Sequence, residues 1–143
     1  MSSVFKISEA ASLALHGMVV LARTPDKVMT TEDVALALRA SHAHLNKVLQ
    51  RLTRVGFVKS VKGRRGGFVL GTAPSSISLL DVYEAIEGEI VPTKCLLDKP
   101  ICGGKCILGG MLQDVNKKVR EHLAGIRLSE FAEPPSAKKH PKS

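Results

Sequence analysis

The sequence predicts a mainly α-helical protein with one small β-hairpin, arranged as a winged helix-turn-helix followed by a long C-terminal dimerisation helix. Aromatic residues make up only 3% of the 143 residues, so aliphatic side chains must build the core, which favours helices packed on helices. Two short amphipathic helical patterns follow each other closely, and a glycine-rich basic hairpin pattern comes directly after them.

Apolar residues at helical spacing predict four helices in the first part of the chain, at 5–22, 29–41, 41–56 and 76–88. Each predicted helix starts near a residue suited to cap it: Ser8, Thr30 or Thr31, Ser41 and Ser78. Gly56 and Gly88 are the expected C-terminal glycines of the third and fourth helices. The short break between the second and third helices predicts a helix-turn-helix.

The stretch "FVKSVKGRRGGFVL" at 57–70 predicts a hairpin, because apolar residues flank a glycine-rich basic tip on both sides. Gly66 and Gly67 let the loop bend tightly and let backbone amides approach a phosphate. The tip lacks the Lys-Ser/Thr ending of a nucleotide-binding P-loop, which argues against that function. A helix-turn-helix followed at once by a basic hairpin predicts a winged helix.

The C-terminal part carries an amphipathic helical pattern at 107–126, which predicts a helix about 30 Å long. One face of so long a helix has no obvious partner in a small domain, so we expect a second copy to cover it in a symmetric homodimer. The predicted organisation is a winged-helix domain at 1–88, a cysteine loop at 89–106, a dimerisation helix at 107–131 and a disordered basic tail at 132–143.

The net charge of +8 is concentrated in one third of the chain. The stretch from Val34 to Leu80 holds no Asp or Glu and eight of the 21 basic residues, so the other 13 balance the 13 acids. A concentrated basic stretch is the footprint of a polyanion, and together with the winged helix it predicts double-stranded DNA as the partner.

The N-terminal apolar run at 10–22 is too short to cross a bilayer and lacks the features of a signal peptide. We therefore expect a cytoplasmic protein that binds no membrane. An enzymatic role is not expected. The basic stretch has no clustered carboxylates for a metal-dependent nuclease, and the histidines form no pattern with a nucleophilic cysteine.

The third helix is expected to enter the major groove and to supply most contacts to DNA. The candidate contacts on and before it are Ser41, His42, His44, Asn46, Lys47, Gln50, Arg51 and Arg54. Asn and Gln suit adenine and Arg suits guanine, whereas phosphate contacts are favoured for Lys47 and Arg54. The wing candidates are Lys62, Arg64, Arg65, Gly66 and Gly67, and Thr30 and Thr31 are phosphate candidates at a helix start.

All three cysteines, Cys95, Cys102 and Cys106, lie in "CLLDKPICGGKC". Thiolates are soft ligands that suit iron–sulfur clusters, Zn²⁺ and Cu(I), and in a reducing compartment clustered cysteines more often bind metal or sense redox than form disulfides. From the residues alone, an iron–sulfur site, a zinc site with a non-cysteine fourth ligand and a thiol switch all remain open.

The order of motifs over residues 5–131 resembles the Rrf-two family of bacterial transcription factors, in particular its IscR- and NsrR-type iron–sulfur sensors. The resemblance rests on the wing "VKGRRGGFVL", the helix "SLLDVYEAIEG", the three clustered cysteines and the ending "LSEF". It implies a DNA-binding homodimer whose three cysteines hold a cluster, with [2Fe–2S] favoured over [4Fe–4S]. In the family, the cluster's state changes DNA affinity or sequence preference.

The chain departs from the family pattern at the fourth ligand and in the spacing of its cysteines. The gap from Cys102 to Cys106 is shorter than usual in the family, Gly109 stands where some members have His, and Ser12 stands where others have a carboxylate. His16 or Glu9 of the partner subunit are the candidates for the fourth ligand. The alternative is a winged-helix regulator that senses redox, metal or thiol-reactive signals directly through its cysteines, with no cluster.

Replacing both Arg64 and Arg65 by alanine is expected to weaken binding to specific and to random DNA alike, because contacts to phosphate carry no sequence information. The same change is expected to flatten the salt dependence of binding, since fewer counterions are released. A gel-shift titration measures both effects, and an unchanged affinity would contradict the assignment of the wing.

Overall fold

The computed structural model describes residues 3–91 and 93–133. It contains five α-helices and one hairpin within these residues: α1 (Glu9–Arg23), α2 (Thr31–Leu38), α3 (His42–Arg54), β1 (Val58–Val61), β2 (Gly67–Leu70), α4 (Leu79–Glu87) and α5 (Met111–Ala124). The predicted fold class is confirmed. Most of the predicted tail lies outside the described residues, and no helix within them is long and apolar enough to cross a membrane.

Helix α1 lies at the centre of the core. It begins at Glu9 rather than at residue 5, because the Ser8 hydroxyl accepts a hydrogen bond from the amide of Ala11 and caps the helix there. Its buried face packs against α2, α3, α4 and β2. The fully buried core side chains contributed by α1 and α3 include Ala11, Ala14, Met18, Leu45, Leu49 and Leu52.

The helix-turn-helix forms because each of its helices has a strong start signal. Thr30 caps α2 in a capping box with Asp33, and the Ser41 hydroxyl accepts from the amide of His44 at the start of α3. Between the helices, Arg39 adopts a left-handed backbone conformation (φ 52°), and its amide bonds the carbonyls of the last turn of α2. This turn closes α2 onto α3 within three residues.

The wing is an antiparallel hairpin in which Val58 lies opposite Leu70. Met29, just before α2, joins it through two backbone hydrogen bonds with Phe68, with N–O distances of 2.9 and 2.7 Å. A side chain at Gly67 would overlap the carbonyl of Met29, so this glycine is required by the close approach of the two backbones. The wing and the start of α2 therefore form one continuous unit.

Helix α5 is shorter than the sequence predicts. The expected start at residue 107 is wrong, because Gly109 takes a left-handed conformation (φ 58°) and the helix begins only at Met111. The expected end at 126 is also wrong, since the helix stops at Ala124 before Gly125. The apolar side chains near its start remain exposed, with Met111 56% and Val115 44% accessible.

After α5 the chain returns to the winged-helix domain. The amide of Leu79 donates to the carbonyl of Ile126 at 3.0 Å, and the amide of Leu128 donates to Ile77 at 2.8 Å. Leu128 is fully buried, and Arg23 of α1 donates to the carbonyl of Phe131 at 3.2 Å. Residues 126–132 thus complete the core of the winged-helix domain, although the sequence pattern grouped most of them with the dimerisation helix.

Replacing Ser78 by alanine is expected to lower the free energy of unfolding by about 1 kcal/mol, because the Ser78 hydroxyl caps α4 through the amide of Asp81 at 3.0 Å. Urea denaturation followed by circular dichroism measures the loss. Ser75→Ala is the matched control, since Ser75 is exposed and caps no helix. Equal effects of the two changes would contradict the role of the cap.

Candidate nucleic-acid interface and cysteine loop

Helix α3 presents one apolar and one polar face. Leu45, Val48, Leu49 and Leu52 are buried in the core, which turns the remaining positions outward. The predicted DNA contacts on α3 fall into three groups: one edge facing α1 and α4, one edge facing α2, and a central strip that is exposed to solvent.

The edge towards α1 and α4 holds two predicted contacts that already have partners within the chain. His44 Nδ1 lies 3.3 Å from Glu9 Oε1 at the start of α1. Arg51 donates from Nη2 to the carbonyl of Ile86 at 2.6 Å, in the last turn of α4. Sequence reasoning missed both links, because residues so far apart in the chain give no local signal of their contact.

The edge towards α2 holds Asn46. The hydroxyl of Thr31 donates to Asn46 Oδ1 at 3.2 Å, and Thr31 itself is buried. The structure therefore places the Thr31 side chain between the two helices and not on the surface where the sequence prediction of a phosphate contact requires it.

Thr30 lies at the exposed start of α2, where its hydroxyl oxygen and its amide both take part in the capping box with Asp33. Its hydroxyl accepts from the amide of Asp33 at 3.0 Å, and its own amide donates to Asp33 Oδ2 at 3.0 Å. The hydrogen bond from the Thr30 amide is the largest cause that lowers the pKa of the Asp33 carboxyl, followed by the Thr30 side chain, with Lys27 contributing less. A phosphate arriving at this helix start would meet a carboxylate, which opposes the predicted contact.

The central strip of α3 and the tip of the wing are open to solvent. The predicted contacts that are exposed and make no side-chain hydrogen bond or ion pair within the described residues are His42, Lys47, Gln50, Arg54, Lys62, Arg64 and Arg65. Strand β1 packs against α3, which holds the wing next to this helix. The charge of these exposed residues is entirely basic, as a phosphate-binding surface requires.

The cysteine loop has some features of a metal-binding loop. All three thiols are half-buried, and the amides of Leu97 and Leu108 point at the sulfurs of Cys95 and Cys106 at 3.4 Å. Backbone N–H groups directed at sulfur are typical of cysteines that hold a metal ion or an iron–sulfur cluster. The intervening Gly103 and Gly104 adopt left-handed conformations and turn the chain between the second and third cysteines.

The three thiols nevertheless stand apart. Within residues 3–91 and 93–133, no three His, Cys, Asp or Glu side chains lie close enough together to hold one metal ion. The three cysteines thus have the chemistry that an iron–sulfur group needs. This conformation of the loop does not bring the three sulfurs together.

The base of the loop is fixed to the helices that contact α3. The amide of Ile90 donates to Glu84 Oε2 at 2.7 Å, which holds the start of the loop against α4. The hydroxyl of Ser8 donates to Glu87, which holds the end of α4 against the start of α1. The next residue of α1, Glu9, is the one that contacts α3.

Comparison with known proteins identifies the family. The family model for Rrf2, described as iron-dependent transcriptional regulator, matches residues 7–134. The chain belongs to the Rrf2 family. It is therefore a DNA-binding transcriptional regulator and not an enzyme.

Relatives of this Rrf2 chain include regulators with different names. It is 29% identical to the transcriptional regulator NsrR of Bacillus licheniformis, over 75% of this chain and 80% of NsrR. It is 30% identical to IscR of Klebsiella pneumoniae, over 69% of this chain and 61% of IscR. The solved structure of CymR, the global cysteine regulator of B. subtilis, is 27% identical and covers 90% of this chain and 97% of CymR, with a TM-score of 0.74.

Replacing Arg51 is expected to lower the stability of the fold, whereas replacing Arg54 is expected to weaken DNA binding. Arg51→Ala removes the hydrogen bond to Ile86 and should lower the free energy of unfolding by about 1 kcal/mol, with little change in the salt dependence of DNA binding. Arg54→Ala is the matched change at a residue with no such bond, and it should reduce the slope of log affinity against log salt by about 1. Fluorescence anisotropy at several salt concentrations, with thermal melts, tests both, and an equal loss of slope in the two variants would contradict the grouping.

Proposed function

We propose that this protein is a homodimeric regulator that binds an operator in double-stranded DNA through the central strip of α3 and the wing, and that an iron–sulfur cluster on the cysteine loop sets its affinity. The observation that carries this proposal is the chain of contacts from the base of the loop to α3, through Glu87, Ser8, Glu9 and His44.

A second copy of the chain is the partner we propose for α5. Met111 and Val115 are exposed on α5, and Val4 and Phe5 are exposed on the segment that lines a groove with this helix. The groove has a volume of about 420 Å³ and continues past Val119. Exposed apolar side chains on two adjoining segments are typical of a surface that another protein covers.

Cys95, Cys102 and Cys106 would hold the cluster, for which we propose [2Fe–2S] over [4Fe–4S]. A cluster of this kind supplies a state that changes with oxidation or with loss of iron. Its ring geometry favours His16 of the partner subunit as the fourth ligand. His16 Nδ1 lies 2.7 Å from the carbonyl oxygen of Ser12, which can only accept, so a neutral His16 ring carries its proton on Nδ1 and leaves Nε2 as the ligand atom. The carboxylate of Glu9, in contrast, is engaged by His44.

The signal would pass from the loop to α3 as a shift between two arrangements of the helix ends. If the loop were ordered around a cluster, its anchor at Glu84 would connect that change to the adjoining end of α4. That end carries both the Ile86 carbonyl bound by Arg51 and the Glu87 carboxylate bound by Ser8. A displacement there would reach α3 directly through Arg51 and indirectly through α1, and would so favour one DNA-binding arrangement of the dimer.

Direct sensing by the thiols, with no cluster, is the second candidate function. Two observations favour it: the three thiols stand apart in this structure, and the CymR structure to which the chain is similar is that of a global cysteine regulator. The three cysteines are only half-buried, so small oxidants can reach their sulfurs, and Lys94, Lys99 and Lys105 lie close to them in sequence.

Purification without oxygen, followed by visible absorption and assays of iron and sulfide, tests the cluster. We expect a coloured protein with iron and sulfide in equal amounts, and we expect Cys102→Ser to be colourless yet still to bind DNA. His16→Ala should lower the iron retained, whereas Glu9→Ala should not.

A colourless protein that cannot be reconstituted would contradict the proposed cluster, while the assignment of the winged helix would stand. If the DNA binding of that protein then responded to a thiol oxidant, the result would support direct sensing by the thiols.

A further inference from the structure

We propose that Thr31 determines the base preference of Asn46, because its hydroxyl holds the side-chain oxygen of Asn46 inward and leaves the amide N–H groups as the part offered to DNA. Thr31 is thus a positioning residue and does not itself touch the nucleic acid. The inference rests on the proposed use of α3 as the DNA-reading helix, and it assigns to Thr31 a role different from the phosphate contact that the sequence suggests.

The geometry of the pair restricts the Asn46 side chain. The Thr31 hydroxyl lies 3.2 Å from Asn46 Oδ1, and Thr31 is only 8% accessible. Asn46 is half-buried on α3, between the apolar face and the open strip. One end of its amide is therefore against α2, and only the other end is free to point outward.

The hydrogen-bonding needs of Thr31 decide which end points inward. Thr31 is the first residue of α2, so its hydroxyl has no carbonyl of a preceding helical turn to donate to. Within the described residues its Oγ1 has one hydrogen-bond partner, the amide of Asn46. If that amide were reversed, Oγ1 would accept from Nδ2 and its own proton would be buried without an acceptor. The cost of such a buried, unsatisfied group favours the oxygen inward.

This orientation changes what Asn46 can read. Asparagine recognises adenine by placing both Oδ1 and Nδ2 on the base edge. With Oδ1 held by Thr31, the outward Nδ2 donates, and it suits the acceptors on guanine (O6 and N7) or thymine (O4). Cytosine offers a donor in the major groove and is disfavoured, and adenine loses the advantage of a two-bond contact.

Thr31 is itself held firmly enough to act in this way. The neighbouring Thr30 is fixed by the capping box with Asp33, and Met29 is fixed by its two backbone hydrogen bonds to Phe68 of the wing. The position of the Thr31 hydroxyl is thus set by the base of the wing. The orientation of the Asn46 amide follows from that position.

Selection of binding sites from a randomised duplex library, with sequencing, tests the inference without a known operator. We expect the wild type to favour guanine or thymine over cytosine at one position, and Thr31→Val to raise the relative affinity for adenine there by about ten-fold, because the freed amide can reorient. Thr31→Ser keeps the hydroxyl and should match the wild type. A Thr31→Val profile that equals the wild-type profile would overturn the inference.

Two changes at Asn46 complete the experiment and guard against misfolding of the Thr31 variant. Asn46→Asp keeps an acceptor for Thr31 but replaces the outward donor by an acceptor, so it should shift the preference at the same position to cytosine; no such shift would also overturn the inference. Asn46→Ala should erase the preference at that position. If it alters no position, Asn46 reads no base and the inference fails, while salt-dependent binding through Arg64 and Arg65 still reports separately on the proposed function.

Discussion

Helix α1 is the element against which the rest of the structure packs, and small side chains make that packing possible. Ala11 and Ala14 are fully inaccessible on the face of this helix that packs in the core. A larger side chain at either alanine would push α3 and α4 away, because protein cores are too densely packed to absorb the extra volume. Since α1 also carries Ser8 and Glu9 at its start, its position sets the contacts that reach α4 and α3.

Helix α3, which we propose reads the DNA, makes different contacts along its two edges. On one edge, His44 and Arg51 tie α3 to elements next to the cysteine loop. On the other, Asn46 ties it to α2 and, through Thr31, to the wing. In the mechanism that we propose, a change in the loop would act on the first edge, while the second edge would keep the register of α3 relative to the wing. The affinity for DNA would then change while the bases that are read stay the same.

The fold was predictable from sequence because its signals are local. The caps Ser8, Thr30, Ser41 and Ser78 all act where the sequence places them. The predicted start of the last helix failed at Gly109, where a left-handed glycine outweighs the apolar periodicity of the residues before it.

The candidate site was predictable in its charge but not in its contacts. The absence of acids between residues 34 and 80 predicts a basic surface, and the exposed basic residues of α3 and the wing tip come from this stretch. Glu9, however, comes from outside that stretch and meets His44 only in the folded protein. The partners of Thr31 and Arg51 are likewise set by tertiary packing, and a pattern of residue types along one helix carries no information about the helix that crosses it.

Because residues 126–132 return to the core of the winged-helix domain, the cysteine loop and α5 form an insertion that is anchored to this domain at both ends. The segment leaves after Gly88 and rejoins the domain where Ile126 bonds Leu79 at the opposite end of α4. Because loop-closure entropy rises slowly with length, doubling such a loop costs only about 0.6 kcal/mol. The number and spacing of the cysteines in the loop can therefore change during evolution without a change in the fold of the winged-helix domain. The same DNA-binding domain can then carry loops that respond to different chemical signals.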